Sequence, residues 1–542
     1  MRRIIIALTT LIVLASIGCA SKQKEATLAP PPQRTRAERQ PAAVADLYAK
    51  QGNFAYAPQS LPPAELEAGQ FNTEEYGHFE ENPFFRPGDQ PLSTFSIDVD
   101  RASYANVRRF LTSGQRPPRD AVRIEEMVNY FTYDYPDPGG APFSITTELT
   151  ACPWNEKHRL MLIGLQGQRM ETKDLPPNNL VFLLDTSGSM MSADKLPLVK
   201  EGLRLLVDQL REEDRVAIVT YAGSAGLALP STSGARKGEI LAAIEQLEAG
   251  GSTAGAQGII TAYDVARQNF NRKANNRVIL ATDGDFNVGV SSDGELQRLI
   301  ESRRNDGIFL TVLGFGTGNI KDSKMELLAN KGNGNYAYID SLAEARKTLV
   351  REMGATLFTI AKDVKIQVEF NPATVGAYRL IGYENRVLQN QDFNDDQKDA
   401  GELGAGHSVT ALYEIVPPGE AIPGASVDPL KYQTATVRDS AGELATVKLR
   451  YKEPDGDTSR LLSRTVHATA SGGMSDNLRM AAAVAQLGLL LRDSANKGSA
   501  SFESVEQLAS TLASRDEDRR DFMTLVARAK ELSATQSVAR KD

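Results

Sequence analysis

The rhythm of apolar and polar positions divides the chain into regions. Between residue 178 and about 355, short apolar runs at 181–185, 216–221, 278–283 and 309–315 alternate with stretches of helical period. The helical stretches are 195–210, 239–247, 256–270, 295–303, 323–330 and 342–352. Short apolar runs bounded by turn residues read as strands buried on both faces of a parallel sheet. Their alternation with helices predicts a doubly wound α/β domain over 178–355. On either side the period falls to two, or runs apolar between turn signals, at 143–150, 159–165, 364–370, 377–383, 409–415, 434–438, 446–451 and 463–468. These strands, some before and some after the α/β region, predict one β-rich, sandwich-like base. It comprises 141–177 and 356–470, with the α/β domain inserted in it.

Residues 82–140 predict a small α+β segment. It has a strand at 93–100, a helix through Val107 and Phe110, and a second helix at 120–130, closed by Tyr135-Pro-Asp-Pro138-Gly-Gly140. Asp98 and Asp100 read as turn and helix-capping residues, with metal ligation as the alternative. The remainder, 471–542, is helical. Its stretch 480–491 is apolar on nearly every face, as expected of a core helix or else of a partner-binding one, and it is too short to span a membrane.

At 542 residues the chain exceeds what one core holds. The composition, 41% hydrophobic and 24% charged, is that of a globular protein. Acidic residues outnumber basic ones, 69 to 61, and the net charge of -8 argues against nucleic acid as a partner. Met1-Arg2-Arg3 and the apolar stretch 4–17 predict a signal peptide over 1–18. Cys19, directly after Gly18, resembles the lipobox cysteine of bacterial lipoproteins; an ordinary secretory signal with a chance cysteine is the alternative. The resemblance implies cleavage before a lipid-modified Cys19 and, through Ala20, the outer membrane of a bacterial cell envelope. Residues 19–81, rich in Pro, Ala, Gln and Glu, then form a disordered tether. Cysteine occurs only twice, so no disulfide framework is expected, and Cys152 reads as a small buried hydrophobe.

Candidate chemistry gathers where strands end. Val181-Phe-Leu-Leu-Asp185-Thr-Ser187-Gly-Ser189-Met190 places three oxygen-bearing side chains at alternate positions beyond a strand's carboxyl end. In an open α/β sheet ligands bind there, and such a trio is half of a hard-cation site. Gly250-Gly251-Ser252-Thr253-Ala254-Gly255 and Arg277-Val-Ile-Leu280-Ala-Thr-Asp283-Gly284 bring Thr253 and Asp283 to the same edge. Together these residues resemble the metal-ion-dependent adhesion site of von Willebrand factor type A domains, in the family's order and spacing. The resemblance implies a Rossmann-like fold for 178–355 and a bound Mg2+, or another divalent cation such as Mn2+. It also implies that Asp185 and Asp283 act largely through waters, while Ser187, Ser189 and Thr253 ligate directly. Pro91-Leu-Ser-Thr-Phe-Ser-Ile-Asp98, Arg123-Ile-Glu-Glu-Met127 and Asp399-Ala-Gly-Glu402 resemble extensions found in YfbK-type envelope lipoproteins.

A cation held mostly by neutral hydroxyls keeps much of its charge and an open coordination position, which suits an Asp or Glu carboxylate of a partner protein. Capture of such a partner is the expected function, without catalysis. A structural or assembly role, with the metal stabilising the fold, is the alternative, and a hydrolase a more distant one. Against hydrolysis, Ser187 stands where an aspartyl phosphatase needs its second acid. Ala222-Gly-Ser224-Ala-Gly226 lacks the helix that follows a nucleophile elbow. The acidic run 392–402 shares the first ligand positions of a calcium loop but lacks its glycine and final glutamate. It reads as an acidic hairpin loop, with a Ca2+ site as the alternative.

Overall fold

The computed structural model describes residues 73–170, 175–222, 225–251, 255–284, 293–352, 358–398, 400–424, 442–454, 456–469 and 473–539. The expected signal peptide with Cys19, the tether up to residue 72, the strand at 434–438, Thr253 and Ser224 lie outside them.

Strands before and after the α/β domain share the same sheets. The chain first forms β1 (Leu92–Ser96), α1 (Ala102–Thr112), α2 (Ile124–Asn129), β2 (Phe143–Cys152) and β3 (Asn155–Gly167). After the α/β domain come β10 (Thr359–Phe370), β11 (Ala377–Ile381), β12 (Leu403–Gly404), β13 (Ser408–Val416), β14 (Glu443–Lys452) and β15 (Ser459–His467). One antiparallel sheet runs β11-β13-β3-β2 and the other β1-β10-β14-β15, with β12 beside β10. Leu165 of β3 pairs with Val409 of β13, and Phe95 of β1 with Ile366 of β10. Met161, Ile163 and Tyr413 from one sheet and Ile366, Val368 and Val447 from the other fill a common core. The base is therefore a sandwich into which the α/β domain is inserted.

The inserted domain comprises β4 (Asn178–Asp185), α3 (Leu196–Gln209), β5 (Arg215–Tyr221), β6 (Ala225–Ser233), α4 (Lys237–Glu245), α5 (Gly255–Gln268), β7 (Asn275–Thr282), α6 (Asp293–Asn305), β8 (Phe309–Phe315), α7 (Asp322–Lys331), β9 (Tyr336–Ile339) and α8 (Leu342–Arg346). Its sheet runs β6-β5-β4-β7-β8-β9, parallel except for β6. Alternate β4 residues serve opposite cores. Val181 and Leu183 pack in the cluster with Ile259 and Ala262 of α5, and Phe182 and Leu184 in that with Leu203 and Leu206 of α3. Burial on both faces makes these strands continuous apolar runs. The order reverses between β4 and β7, because the chain winds outward to β5 and β6 from one and to β8 and β9 from the other. Such a reversal leaves a crevice at the strands' carboxyl ends.

Three elements closing the body are α9 (Asp476–Leu491), α10 (Phe502–Ala509) and α11 (Glu517–Ala539). Met480 to Leu489 of α9 are buried, in a cluster with Ile124, Met127, Val505, Phe522 and Val526. The apolar tail helix is thus a core helix. A Cβ at Gly488 would lie 2.7 Å from Ile124 Cγ1, so this glycine sets the close approach of α9 to α2. No helix of the described residues is long and apolar enough to cross a membrane.

Asp100 does not cap α1; the capping position is Arg101, which makes no side-chain cap bond. Asp100 instead accepts hydrogen bonds from Arg386 Nη2 (2.9 Å) and from the Tyr336 backbone N–H (2.7 Å). Arg386 also binds Asp98 (3.1 Å) and Glu326 of α7 (2.8 Å), and Arg123 binds Glu326 (3.0 Å) and lies 3.7 Å from Asp322. This buried network joins the α/β domain to the base. Burial lifts Asp322 from its ordinary 3.8 to about 6; Arg123 opposes the rise and Glu326 adds to it. A carboxyl raised on folding contributes stability below its unfolded value, and that contribution is lost as pH rises through about 6. Relative to Asp322→Asn, the wild type should lose up to about 3 kcal/mol between pH 4 and pH 7, at 1.36 kcal/mol per pKa unit. Urea unfolding of both proteins across that range checks this; parallel curves would contradict it.

Candidate metal centre

The strand β4 delivers Asp185, fully buried, to the crevice beside β7. The chain then turns sharply. Ser187 N–H donates to Asp185 Oδ1 (2.9 Å), while Tyr221 at the end of β5 and Thr282 at the end of β7 donate their hydroxyls to Oδ2 (3.2 and 3.3 Å). The carboxylate is thereby oriented by both flanking strands. Ser187 and Ser189 point the same way, with their hydroxyl oxygens 3.0 Å apart. The loop preceding Thr253 is tied to this turn, because Gly188 N–H donates to Gly251 O (3.1 Å) and Gly250 N–H to Thr186 O (2.8 Å).

Asp283 follows β7 directly and is also fully buried. Lys195 Nζ, at the start of α3, reaches its Oδ2 at 2.9 Å and Asn319 Oδ1 at 3.3 Å. Two glycines make this possible. Gly316 has φ +76°, and a Cβ there would sit 2.2 Å from Lys195 Cε, so the lysine stem lies where a side chain would be. Gly284 has φ +108°, and a Cβ there would meet Asn319 O at 2.5 Å.

The two carboxyls are tuned in opposite directions. Burial pushes Asp185 above its ordinary range; bonds from Ser187 and Tyr221 pull the other way, and the charge of Asp283 adds to the rise. Burial acts on Asp283 too, but hydrogen bonds from Asn319 and Ser189 and the Lys195 ammonium hold it below its ordinary value. The donor set of buried carboxylates and hydroxyls at a strand-end crevice fits a small hard cation. The cation would also relieve the mutual repulsion of Asp185 and Asp283. Asp185, Ser187, Ser189 and Asp283 are thus brought together, and Thr253 lies outside the described residues.

Lys195, Tyr221 and Asn319 were not anticipated. Tyr221 ends a predicted strand and Lys195 opens a predicted helix, but neither residue type marks a cation site.

At 392–402, where a Ca2+ site is the alternative to an acidic hairpin loop, protein cations meet the loop, and Asp399 lies outside the described residues. Lys365 Nζ donates to the Asp392 carbonyl (3.0 Å) and to that of Asp395, Lys452 Nζ to the Asp396 carbonyl (2.5 Å), and Arg450 lies 3.5 Å from the Asp396 carboxylate. Asp392 spends a carboxylate oxygen on the Gln389 N–H (3.1 Å). Among the described residues, no group of three or more His, Cys, Asp or Glu is placed to hold a metal. Cys152 is buried, as expected, and burial pushes its thiol up.

The von Willebrand factor type A domain family matches residues 179–352, and a von Willebrand factor family matches 70–162. The family described as uncharacterized protein YfbK, C-terminal, matches 355–532. Uncharacterized protein YfbK of Escherichia coli (strain K12) is 43% identical over 497 residues, covering 89% of this chain and 86% of that one. Human Inter-alpha-trypsin inhibitor heavy chain H3 is 29% identical over 255 residues, covering 44% of this chain and 28% of that one. A solved von Willebrand factor type A structure from Catenulispora acidiphila covers 86% of this chain and 90% of its own, at 14% identity and a TM-score of 0.37. The match to YfbK along nearly its whole length, with the type A domain at its centre, places this chain in the YfbK family of von Willebrand factor type A domain proteins.

Proposed function

We propose that this chain is a metal-dependent protein-binding module of the bacterial cell envelope that captures an Asp or Glu side chain of a partner protein. The observation that carries the reading is the meeting of Asp185, Ser187, Ser189 and Asp283 at the β4–β7 crevice, with two neutral hydroxyls 3.0 Å apart. A divalent cation held there, Mg2+ or Mn2+, supplies positive charge and an open position for a carboxylate. Ser187 and Ser189, and by the family resemblance Thr253, would hold it as neutral ligands. Asp185 and Asp283 would orient those ligands and the ion's waters, as carboxylates just outside the ligand shell do. Tyr221 and Thr282 fix Asp185 in turn. Nothing in this chemistry needs a general base, so the proposed role is binding and not catalysis.

Anchoring through a lipid on Cys19, with the outer membrane favoured, completes the proposal. Thr73 N–H donates to Gly318 O (2.8 Å) and Glu75 N–H to Ile320 O (2.9 Å), so the first described residues run beside Asn319 at the site's rim.

The test is capture from envelope extract by the full-length protein in Mg2+ and in EDTA. A partner should be retained in Mg2+, lost in EDTA, and lost in Asp185→Asn. Capture that survives both chelation and the substitution would favour an assembly role through the base or the tail helices.

A further inference from the structure

The Lys195 ammonium sits in the metal centre as a built-in cation. Its side chain is 9% exposed and Asp283 is fully buried, so the pair is shielded from solvent. Its reach is a constructed feature: the stem passes over Gly316, where a Cβ would meet Cε at 2.2 Å and Cγ at 2.4 Å. Asn319 Oδ1 shares the ammonium at 3.3 Å.

We infer that Lys195 is a tethered counter-ion that weakens the centre's hold on a bare divalent cation and leaves the loaded centre positively charged for an acidic ligand. This rests on the metal-dependent reading above. Without the lysine, Asp185 and Asp283 would neutralise a divalent ion completely, and an incoming carboxylate would meet no net charge. With it, the carboxylates carry one net negative charge between them and the loaded centre one net positive charge. The partner's carboxylate then completes neutrality. Ion retention and partner capture are therefore coupled, each strengthening the other, as linkage requires.

The experiment is a Mn2+ titration of the full chain, followed by the electron paramagnetic resonance signal of free Mn2+, with no partner present. Lys195→Met keeps an apolar stem over Gly316, Lys195→Gln is a second neutral replacement, and Lys195→Arg keeps the charge. Both neutral variants should bind Mn2+ about tenfold or more tightly, the scale of effect a charge within a few ångströms imposes. The arginine variant should stay weak. Circular dichroism reports whether each variant folds, and either neutral variant alone suffices. Equal or weaker Mn2+ binding in a folded neutral variant would overturn the inference and make Lys195 a device that merely orients Asp283. If the wild type binds no Mn2+ that Asp185→Asn removes, the metal-dependent reading itself fails, and the inference with it.

Discussion

Asp185→Asn is expected to lower divalent-cation affinity about 100-fold, the upper end of what loss of an orienting carboxylate does, while leaving the fold intact. The carboxylate takes hydrogen bonds from Ser187 N–H, Tyr221 and Thr282, and asparagine's carbonyl can take over part of that role in the same volume. It cannot replace the charge that organises the two serine hydroxyls around a cation. Little stability should be lost, because burial already disfavours the charged form of Asp185. Calorimetric titration with Mg2+ or Mn2+ gives the affinity, and thermal unfolding in EDTA gives the stability of the empty fold. Unchanged affinity would remove Asp185 from the site. A collapse of the EDTA melting temperature would assign it to the fold instead.

Arg386→Met should destabilise the protein by about 3–5 kcal/mol, as expected when one partner of a buried ionic cluster is removed and the others are left uncompensated. Arg386 holds Asp98, Asp100 and Glu326 together, and Asp100 is fully buried. Since Glu326 belongs to α7 and Arg386 to the base, the same change loosens the seat of the α/β domain. The loss should shrink toward pH 5. Burial already raises Asp100 well above its ordinary value despite Arg386, so without the arginine the carboxyl takes up a proton more readily. Urea unfolding at pH 5 and pH 8 reads both effects. A loss below 1 kcal/mol at pH 8 would show that the cluster does not hold the seat.

What the sequence made legible follows from how each element is buried. The strand predicted at 309–315 coincides with β8, because its apolar run, broken only by Thr311, is bounded by the turn glycines Gly307 and Gly316. β6 and β9 were not predicted. β6 is an edge strand with Leu227 half exposed and Pro230 within it, which only an edge tolerates. β9 is four residues long, too short for a period to declare itself. The centre divides similarly. Asp185, Ser187 and Ser189 are spaced along one turn, so local order shows them. Lys195 joins them only because Gly316, on a different strand's end, clears a path. Asp100 looked like a cap because capping is local, whereas its partner Arg386 is 286 residues away.

Anomalous diffraction from crystals of the full chain grown with Mn2+ would show directly whether a divalent cation occupies the β4–β7 crevice. One strong peak is expected within coordination distance of the Ser187 and Ser189 hydroxyl oxygens, close to the roughly 2.0–2.1 Å of a small hard cation, and its loss in Asp185→Asn. A peak at the 392–402 loop with none between Ser187 and Asp283, or no ordered peak at all, would contradict this expectation.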